Sequence, residues 1–297
     1  MPKNKRSSPK QIPDQSDNKK DDKKDYKIYP PRKEQDFVKI DRDLHPFYAS
    51  MFSKNGANLF IASPPSSGKT SYISNLLSRE VYFKDLFDGG IFVCSPTINN
   101  DIGAMPIKAV ADHITDEFSE EYAKNLMNLL LHPEEEDDED SGNGLSCILW
   151  DDCMGMFKQN TIVGKMASCV RHMKSLMIFS NQRCVGVPSG IRANISHLIC
   201  FNQPSIKEFS ALVDMCSAFG GEDNFIEMYN DACNIRYGML MLDFREMKAY
   251  KQIPDTGEIV ELYSRYAEDG SINDVKKMTK TGLKNNNKKT EENNNDI

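Results

Sequence analysis

Short apolar runs alternate with longer segments of helical periodicity through the middle of the chain. Runs rich in Ile, Leu, Val, Phe and Cys are typical of strands buried on both faces, and they predict a series of β-strands. They lie at 58–63, 90–95, 145–150, 176–180, 197–201 and 237–244. Helical patterns follow the first run and lie at 117–131, 162–172 and 205–232. Strands that alternate with helices predict an α/β fold with a mainly parallel central sheet flanked by helices.

The two ends of the chain differ from its middle. Residues 1–36 are rich in Lys, Asp, Ser and Pro, and residues 266–297 are rich in Asn and Lys. Neither end has enough apolar residues to offset the entropy of ordering. We therefore expect two disordered tails around a single folded domain at 37–265.

The formal net charge of the 297-residue chain is −7, so a contact with nucleic acid has to be local. The N-terminal tail has the opposite balance, because Lys and Arg outnumber Asp there. It is either a solubilising tail or an arm that touches DNA or a partner. An unbroken acidic run at 134–140 predicts a solvated loop.

The eight cysteines do not form a C-x-x-C pair, and several lie in the strand-like runs. This usage indicates buried free thiols in a reducing compartment rather than zinc ligands or disulfides. Apolar runs are all shorter than the 18 residues or so that a membrane-spanning helix needs. The sequence therefore predicts no membrane partner.

A phosphate-binding loop is predicted between the first strand and the helix that follows it. Such a loop wraps backbone N–H groups around phosphate oxygens, and the helix N-terminus adds partial positive charge. Lys69 would bridge the β- and γ-phosphates of ATP, and the Thr70 hydroxyl would ligate Mg²⁺. The usual first glycine is replaced by Ser63, and the alternative is an ordinary turn with an incidental Lys. The predicted nucleotide-binding residues are Ser63, Pro64, Pro65, Ser66, Ser67, Gly68, Lys69, Thr70 and Ser71.

Two carboxylates, Asp151 and Asp152, end the third apolar run. An unpaired charge at the end of a buried strand is costly, and Mg²⁺ would supply a partner. Asp151 would hold the metal through water, and Asp152 would orient or deprotonate the attacking water. The alternative is an ordinary Asp-rich turn.

Polar residues after the next strand are further candidates. Gln182, and after it Asn181, could contact the γ-phosphate or the water; the alternative is a solvated turn residue. Arg192 and Arg171 are candidate arginine fingers that reach a neighbouring subunit's ATP, and surface salt bridges are the alternative for each. A segment with Lys158 and Lys165 but no carboxylate follows the acidic strand; it is either a DNA-contacting stripe or a solvated helix start.

This order of motifs resembles the FtsK–HerA superfamily of P-loop ATPases, and most closely the poxvirus-type genome-packaging ATPases of large double-stranded DNA viruses and virophages. The spacing of Gln182 and the later Pro…Ile-Arg-x-Asn segment is the discriminating part. Many relatives in the wider superfamily carry Glu where this chain has Asp152. The matching segments are Ser67-Gly68-Lys69-Thr70, Ile148-Leu149-Trp150-Asp151-Asp152, Arg171-His172, Ser180-Asn181-Gln182 and Pro188-Ser189-Gly190-Ile191-Arg192-Ala193-Asn194.

The resemblance implies an additional-strand ATPase core, a homo-oligomeric ring and translocation of double-stranded DNA into a preformed capsid. It also implies a capsid or portal-vertex partner, and a location in the host cytoplasm or viral factory or in association with the virion. We therefore expect an ATP- and Mg²⁺-dependent packaging motor. The alternatives are a cellular or mobile-element helicase or transporter of the same superfamily, and a nucleotide-binding assembly scaffold that does not hydrolyse ATP.

Overall fold

A computed structural model of the protein describes residues 38, 40–132, 144–157 and 161–267. Its strands are β1 Ala57–Ala62, β2 Ile91–Cys94, β3 His113–Thr115, β4 Ser146–Asp151, β5 Ser175–Asn181, β6 His197–Phe201, β7 Met239–Asp243, β8 Lys248–Gln252 and β9 Ile259–Ser264. Its helices are α1 Pro46–Ala49, α2 Lys69–Ser78, α3 Met105–Val110, α4 Glu120–Leu131, α5 Ile162–Cys169, α6 Ser189–Arg192, α7 Ile206–Cys216 and α8 Glu222–Cys233. Residues 1–36 of the expected N-terminal tail, residues 268–297 of the expected C-terminal tail, the acidic run at 134–140 and Lys158 lie outside these ranges.

The strands join in one sheet with the order β3-β2-β4-β5-β1-β6-β7-β8-β9. The pairs from β3 to β6 are parallel, and the pairs from β6 to β9 are antiparallel. The strand that ends in the two carboxylates is separated from the strand before the phosphate loop by β5. The predicted α/β fold with a mainly parallel sheet is confirmed, as is the additional strand between those two.

Apolar side chains cover both faces of this sheet, as the continuous apolar runs predict. One face packs against α4, α5, α7 and α8, and Phe60, Trp150 and Phe179 lie at its centre. The other face packs against α1, α2 and α3, and it includes Leu59 and Leu149. Because neighbouring residues point to opposite faces, each central strand contributes to both cores. The central strands that carry the site described below are therefore packed on both faces.

Several local predictions differ from the structure. The helix expected at 205–232 is two helices, because Gly220 and Gly221, with φ of 86° and 93°, break it. The helix expected at 162–172 ends at Cys169. The strands β3, β8 and β9 were not predicted, since they are short or only partly buried and lack a continuous apolar run. Of the cysteines, Cys169 is partly buried and the others are buried.

Candidate nucleotide site

The turn that follows β1 is closed by hydrogen bonds of its own residues. The Ser63 N–H donates to Asn181 O across 3.1 Å, which ties the start of the turn to the end of β5. The Ser67 hydroxyl donates to Pro64 O across 2.8 Å, and the Ser63 and Ser67 hydroxyls are hydrogen-bonded to each other. Ser63 therefore contributes a side-chain hydrogen bond that a glycine at this position would not provide.

Helix α2 begins where the turn ends. Gly68 precedes it with φ of 96°, a left-handed conformation that glycine adopts without strain. A Cβ at this position would also lie 3.2 Å from the ring of Tyr237. The helix has no side-chain cap at its N-terminus, so the N–H groups of its first turn remain suited to bind an anion.

The side chain of Lys69 lies between the two carboxylates that follow β4. Its Nζ is 2.8 Å from Asp152 Oδ1 and 3.1 Å from Asp151 Oδ1. All three side chains are largely buried, with 10%, 20% and 15% exposure for Lys69, Asp152 and Asp151 respectively. The lysine at the mouth of the loop and both predicted acidic residues thus belong to one cluster.

Asp151 is held by two serine hydroxyls that the sequence analysis missed. Ser95, directly after β2, donates to Oδ2 across 2.9 Å, and Ser180, near the end of β5, donates to Oδ1 across 2.7 Å. These strands flank β4, so polar residues at the carboxyl ends of neighbouring parallel strands were the available signal. The two hydroxyls orient the carboxylate of Asp151 toward the loop.

Asp152 has a different environment from Asp151. Its backbone has φ of 50°, an uncommon value for a residue other than glycine, and its N–H donates to Ser180 O across 2.8 Å. The Gln182 amide donates through Nε2 to Asp152 Oδ2 across 3.2 Å, whereas Asn181 bonds to the carbonyl of Arg183. Of the two polar residues considered after β5, Gln182 is the one that faces the acidic pair.

A cavity of about 1010 Å³ adjoins this cluster. Of the predicted nucleotide-binding residues, Pro64 to Ser71 line it, together with Asp152 and Gln182 on one side. Ser63 is fully buried and does not line it. Tyr237 and Gln252 line it on the side of the antiparallel strands. A cavity bounded by the predicted phosphate loop, a helix N-terminus and Asp152 has the shape and the polar groups that suit a nucleotide.

The two candidate arginine fingers lie away from this cavity in their own chain. Arg192, at the end of α6, borders a separate hollow with Phe157 and Pro188. Arg171 lies before β5, at the opposite end of the sheet, and borders a small pocket with Lys54. The length of a strand, about 20 Å for six residues, separates that end from the loop. In this arrangement neither arginine reaches the nucleotide cavity of its own subunit.

The residues near the loop fit a magnesium ion. Among the described residues there is no group of three or more His, Cys, Asp or Glu side chains that could hold a metal by itself. Mg²⁺ does not need one, because it is commonly held by one or two carboxylates together with substrate phosphates and water. Thr70, near the start of α2, and Asp151, which pairs with the adjacent Lys69 at 3.1 Å, would supply such a partial set of oxygen ligands.

The Poxvirus A32 protein family matches residues 45–240. The chain belongs to this family. The match spans the phosphate loop, the acidic pair, Gln182 and Arg192, and it confirms the resemblance to poxvirus-type genome-packaging ATPases of the FtsK–HerA superfamily. No curated protein matches the chain.

Solved structures of low sequence identity resemble this A32-family chain. The genome packaging NTPase B204 of Sulfolobus turreted icosahedral virus 2, in complex with ATP-gammaS, is 12% identical with a TM-score of 0.47, over 67% of this chain and 97% of that one. Its complex with sulfate is 14% identical with a TM-score of 0.48, over 66% and 94%. The pCW3 conjugation coupling protein TcpA is 13% identical with a TM-score of 0.42, over 77% and 66%.

Proposed function

We propose that this A32-family protein is an ATP-hydrolysing motor that moves double-stranded DNA, and that it packages viral DNA into a preformed capsid. The observation that carries the proposal is the convergence of Lys69, Asp151, Asp152 and Gln182 at one end of a nucleotide-sized cavity. A scaffold that only bound nucleotide would need the loop, but it would not need a second carboxylate backed by an amide.

Each of these side chains has a distinct part in hydrolysis. Lys69 and the N–H groups of the loop would bind the phosphates. Thr70 with Asp151 would hold Mg²⁺, which would supply positive charge against the phosphate oxygens. Asp152 accepts a proton from, or orients, the water that attacks the γ-phosphate. Gln182 donates a hydrogen bond to Asp152 across 3.2 Å. It would keep that carboxylate oriented toward the water, and the water in position to attack the γ-phosphate.

ATP binding requires the lysine to exchange partners. In the structure the Lys69 ammonium group is shared by both carboxylates, whereas in an ATP complex it would bind phosphate oxygens. The carboxylates would then turn to Mg²⁺ and to water. Because ATP would come with its own Mg²⁺, the carboxylates would still have a cation beside them after the lysine has turned to the phosphates.

The arginine positions favour a ring of identical subunits. Since Arg192 and Arg171 lie outside the cavity of their own chain, a finger supplied by either of them would have to act on the ATP of a neighbouring subunit. Such a residue links hydrolysis in one subunit to the position of the next, which is what stepwise movement of DNA requires.

The proposed partners are double-stranded DNA, other copies of this chain, and a capsid or portal-vertex protein. None of the helices within the described ranges is long and apolar enough to cross a membrane. We propose that the protein works in the host cell cytoplasm or viral factory, with association with the virion as a further location.

The test is ATP hydrolysis with and without blunt duplex DNA, combined with displacement of a third strand from that duplex as the measure of translocation. We expect DNA to stimulate hydrolysis and the third strand to be released, and we expect neither result with Lys69→Ala. Unwinding of forked DNA without movement along blunt duplex would point to a helicase. Binding of ATP with no hydrolysis under either condition would point to a scaffold.

A further inference from the structure

The cavity continues past the phosphate loop toward the antiparallel strands. Met239, at the start of β7, is paired with Phe201, at the end of β6, and with Gln252, at the end of β8. All three residues line the cavity, and so does the turn at 254–257 between β8 and β9. We call this part of the cavity, lined by Phe201, Met239, Gln252 and the turn at 254–257, the second arm. The acidic pair lies on the other side of β1, so the second arm lies on the side of the loop away from the proposed position of the γ-phosphate.

Tyr237 forms one wall of this arm. Its ring lies against the loop, 3.2 Å from the position that a Cβ on Gly68 would take. The residue as a whole is 43% exposed. The Arg236 guanidinium packs over the ring, 4.8 Å from its centroid. The Tyr237 backbone has φ of 66°, and the next residue must be glycine because a Cβ there would be 2.4 Å from Ala232 O.

An exposed aromatic ring in a strained backbone conformation calls for a reason beyond packing. The ring contributes little to either core, yet the turn that carries it is fixed against α8 by the close approach of Gly238 to Ala232. Aromatic rings at such places commonly stack on a nucleobase, which can use the π-face of any base.

Gln252 supplies a buried hydrogen-bond acceptor without a donor in the same arm. It is 5% exposed, and its Nε2 donates to the Tyr82 hydroxyl across 3.0 Å and to Gly257 O across 3.4 Å. A backbone carbonyl can only accept, so these contacts fix which end of the amide is nitrogen. The Oε1 atom is left buried and without a partner in the described structure.

A buried acceptor without a donor is costly, and a ligand that brings an N–H group removes that cost. The 6-amino group of adenine is such a donor. Guanine has a carbonyl oxygen at the same position, which would face Oε1 as a second acceptor. The arm therefore combines a stacking surface with an atom that distinguishes the two purines.

We propose that this arm binds the nucleoside of the nucleotide, with Tyr237 stacked on the base and Gln252 Oε1 accepting from the 6-amino group of adenine. The proposal rests on the proposed function, since the phosphates must lie in the loop. Because Oε1 is shielded, the turn at 254–257 has to move outward slightly as the base enters.

Calorimetric titration in the presence of Mg²⁺ tests the part assigned to Gln252. The ligands are ADP, GDP and purine riboside 5′-diphosphate, which is ADP without the amino group. Wild-type protein should bind ADP roughly 3- to 10-fold more tightly than the purine riboside compound, the range expected for one net hydrogen bond, and GDP more weakly still. Gln252→Leu should abolish the difference between ADP and the purine riboside compound. Tyr82→Phe, which leaves Oε1 untouched, should preserve it.

Pyrophosphate, which has no base, separates the arm from the loop. Tyr237→Gly relieves the backbone strain, and it should weaken ADP binding by roughly fivefold or more, as for loss of a stacking ring, while pyrophosphate binding stays unchanged. Tyr266→Ala, which removes a similarly exposed ring elsewhere, is the control. Equal wild-type affinity for ADP and purine riboside diphosphate, or unchanged ADP binding by Tyr237→Gly, would overturn the proposal. Failure of wild-type protein to bind even pyrophosphate would instead overturn the proposed function.

Discussion

The ammonium group of Lys69 lies 2.8 Å from Asp152 Oδ1 and so pairs with the carboxylate that is proposed to act on the attacking water. Asp151 shares the same ammonium at 3.1 Å. The lysine thus lies between two largely buried carboxylates, at a place where unpaired charges would repel each other. The three side chains form one charge cluster, which ATP and Mg²⁺ would have to rearrange under the proposed function.

Replacement of Lys69 tests this arrangement directly. Lys69→Ala removes the phosphate ligand and leaves Asp151 and Asp152 without their shared cation. We expect ATP hydrolysis to be lost and nucleotide binding to weaken, with the fold retained, as measured by phosphate release, calorimetry and circular dichroism. The exposed Lys84, which pairs with Glu80 at 3.3 Å, offers a control, and Lys84→Ala should hydrolyse ATP normally. Wild-type hydrolysis by Lys69→Ala would remove the basis of the site assignment.

The two carboxylates should differ in what their loss affects. Asp151→Asn should impair Mg²⁺-dependent nucleotide binding, because Asp151 is the proposed metal ligand held by Ser95 and Ser180. Asp152→Asn should leave ATP binding largely intact and stop turnover, because the proton step alone needs it. Binding and single-turnover hydrolysis, measured across a range of Mg²⁺ concentrations, separate the two effects. Normal turnover by Asp152→Asn would indicate that another group positions the water, and Gln182 would be the first candidate.

The arginine finger is tested by mixing two inactive variants. Arg192→Ala subunits keep an intact phosphate loop, and Lys69→Ala subunits keep Arg192. A mixed interface can therefore contain one complete site, and some hydrolysis should return on mixing. A finger contributes about 10³–10⁵ in rate, so even a small fraction of complete sites is measurable above the background. Arg171→Ala takes the place of Arg192→Ala in a parallel mixture, and absence of rescue in both would argue against a finger in trans.

The fold of the parallel half could be predicted because its strands are apolar on both faces, as in the runs 145–150 and 176–180. The antiparallel edge could not, since β8 and β9 mix buried with partly or fully exposed residues in no regular pattern, including charged ones such as Lys248 and Glu261. A strand of that kind is recognised by its neighbours rather than by its own composition.

The candidate site shows the same division between local and distant information. The loop and the acidic pair are each a short continuous segment of sequence. Each could therefore be predicted from its own residues and from the strand or helix beside it. Ser95 and Tyr237 are different, because nothing in their own segments indicates that β2 ends and β7 begins beside the loop. Only the strand order brings those residues to the cavity.

Acid should destabilise the protein through a buried histidine. Complete burial lowers the pKa of His197 below its ordinary value of 6.5, and it outweighs Asp243, whose Oδ2 lies 3.5 Å from Nε2 and acts to raise the pKa. The ring lies between Ser50 and Ser196. Below pH 6.5 the unfolded chain binds a proton that the folded chain does not, so stability falls as the pH falls. Burial also acts to raise the pKa of Asp243, but the interactions with His197 and Ser50 outweigh it and lower the pKa to about 2. The stability that the ionised Asp243 contributes to the fold is therefore lost only below about pH 4.

Chemical denaturation between pH 7.5 and pH 5.5 measures the effect of His197. The free energy of unfolding should decrease by at most about 1.4 kcal/mol per pH unit for one group. His197→Gln keeps a polar side chain that does not titrate, so it should lower the overall stability and reduce the pH dependence. His113→Gln, at an exposed histidine, should keep the wild-type slope. An unchanged slope in His197→Gln would assign the acid sensitivity to other groups.

A protein with net charge −7 would need a local positive surface to hold DNA. The segment after the acidic strand carries Lys158 and Lys165 and no carboxylate as far as His172. Lys165 is exposed on α5, and Lys158 lies outside the described residues. One acidic group does approach from α4, because the Ile162 N–H donates to Glu120 Oε2 across 3.3 Å. Phosphate contacts by the two lysines would supply affinity that does not depend on DNA sequence.

Lys158→Ala combined with Lys165→Ala should leave hydrolysis without DNA unchanged and remove its stimulation by DNA. The logarithmic salt dependence of DNA binding should become shallower by about two units, one for each lost phosphate contact. The matched control is Lys124→Ala with Lys207→Ala, which removes the same charge from exposed positions on α4 and α7. Undiminished stimulation in the first double variant would place the DNA path elsewhere, and the Lys-rich N-terminal segment would be the next to change. Equal loss in both double variants would mean that total charge, rather than this stripe, controls the response to DNA.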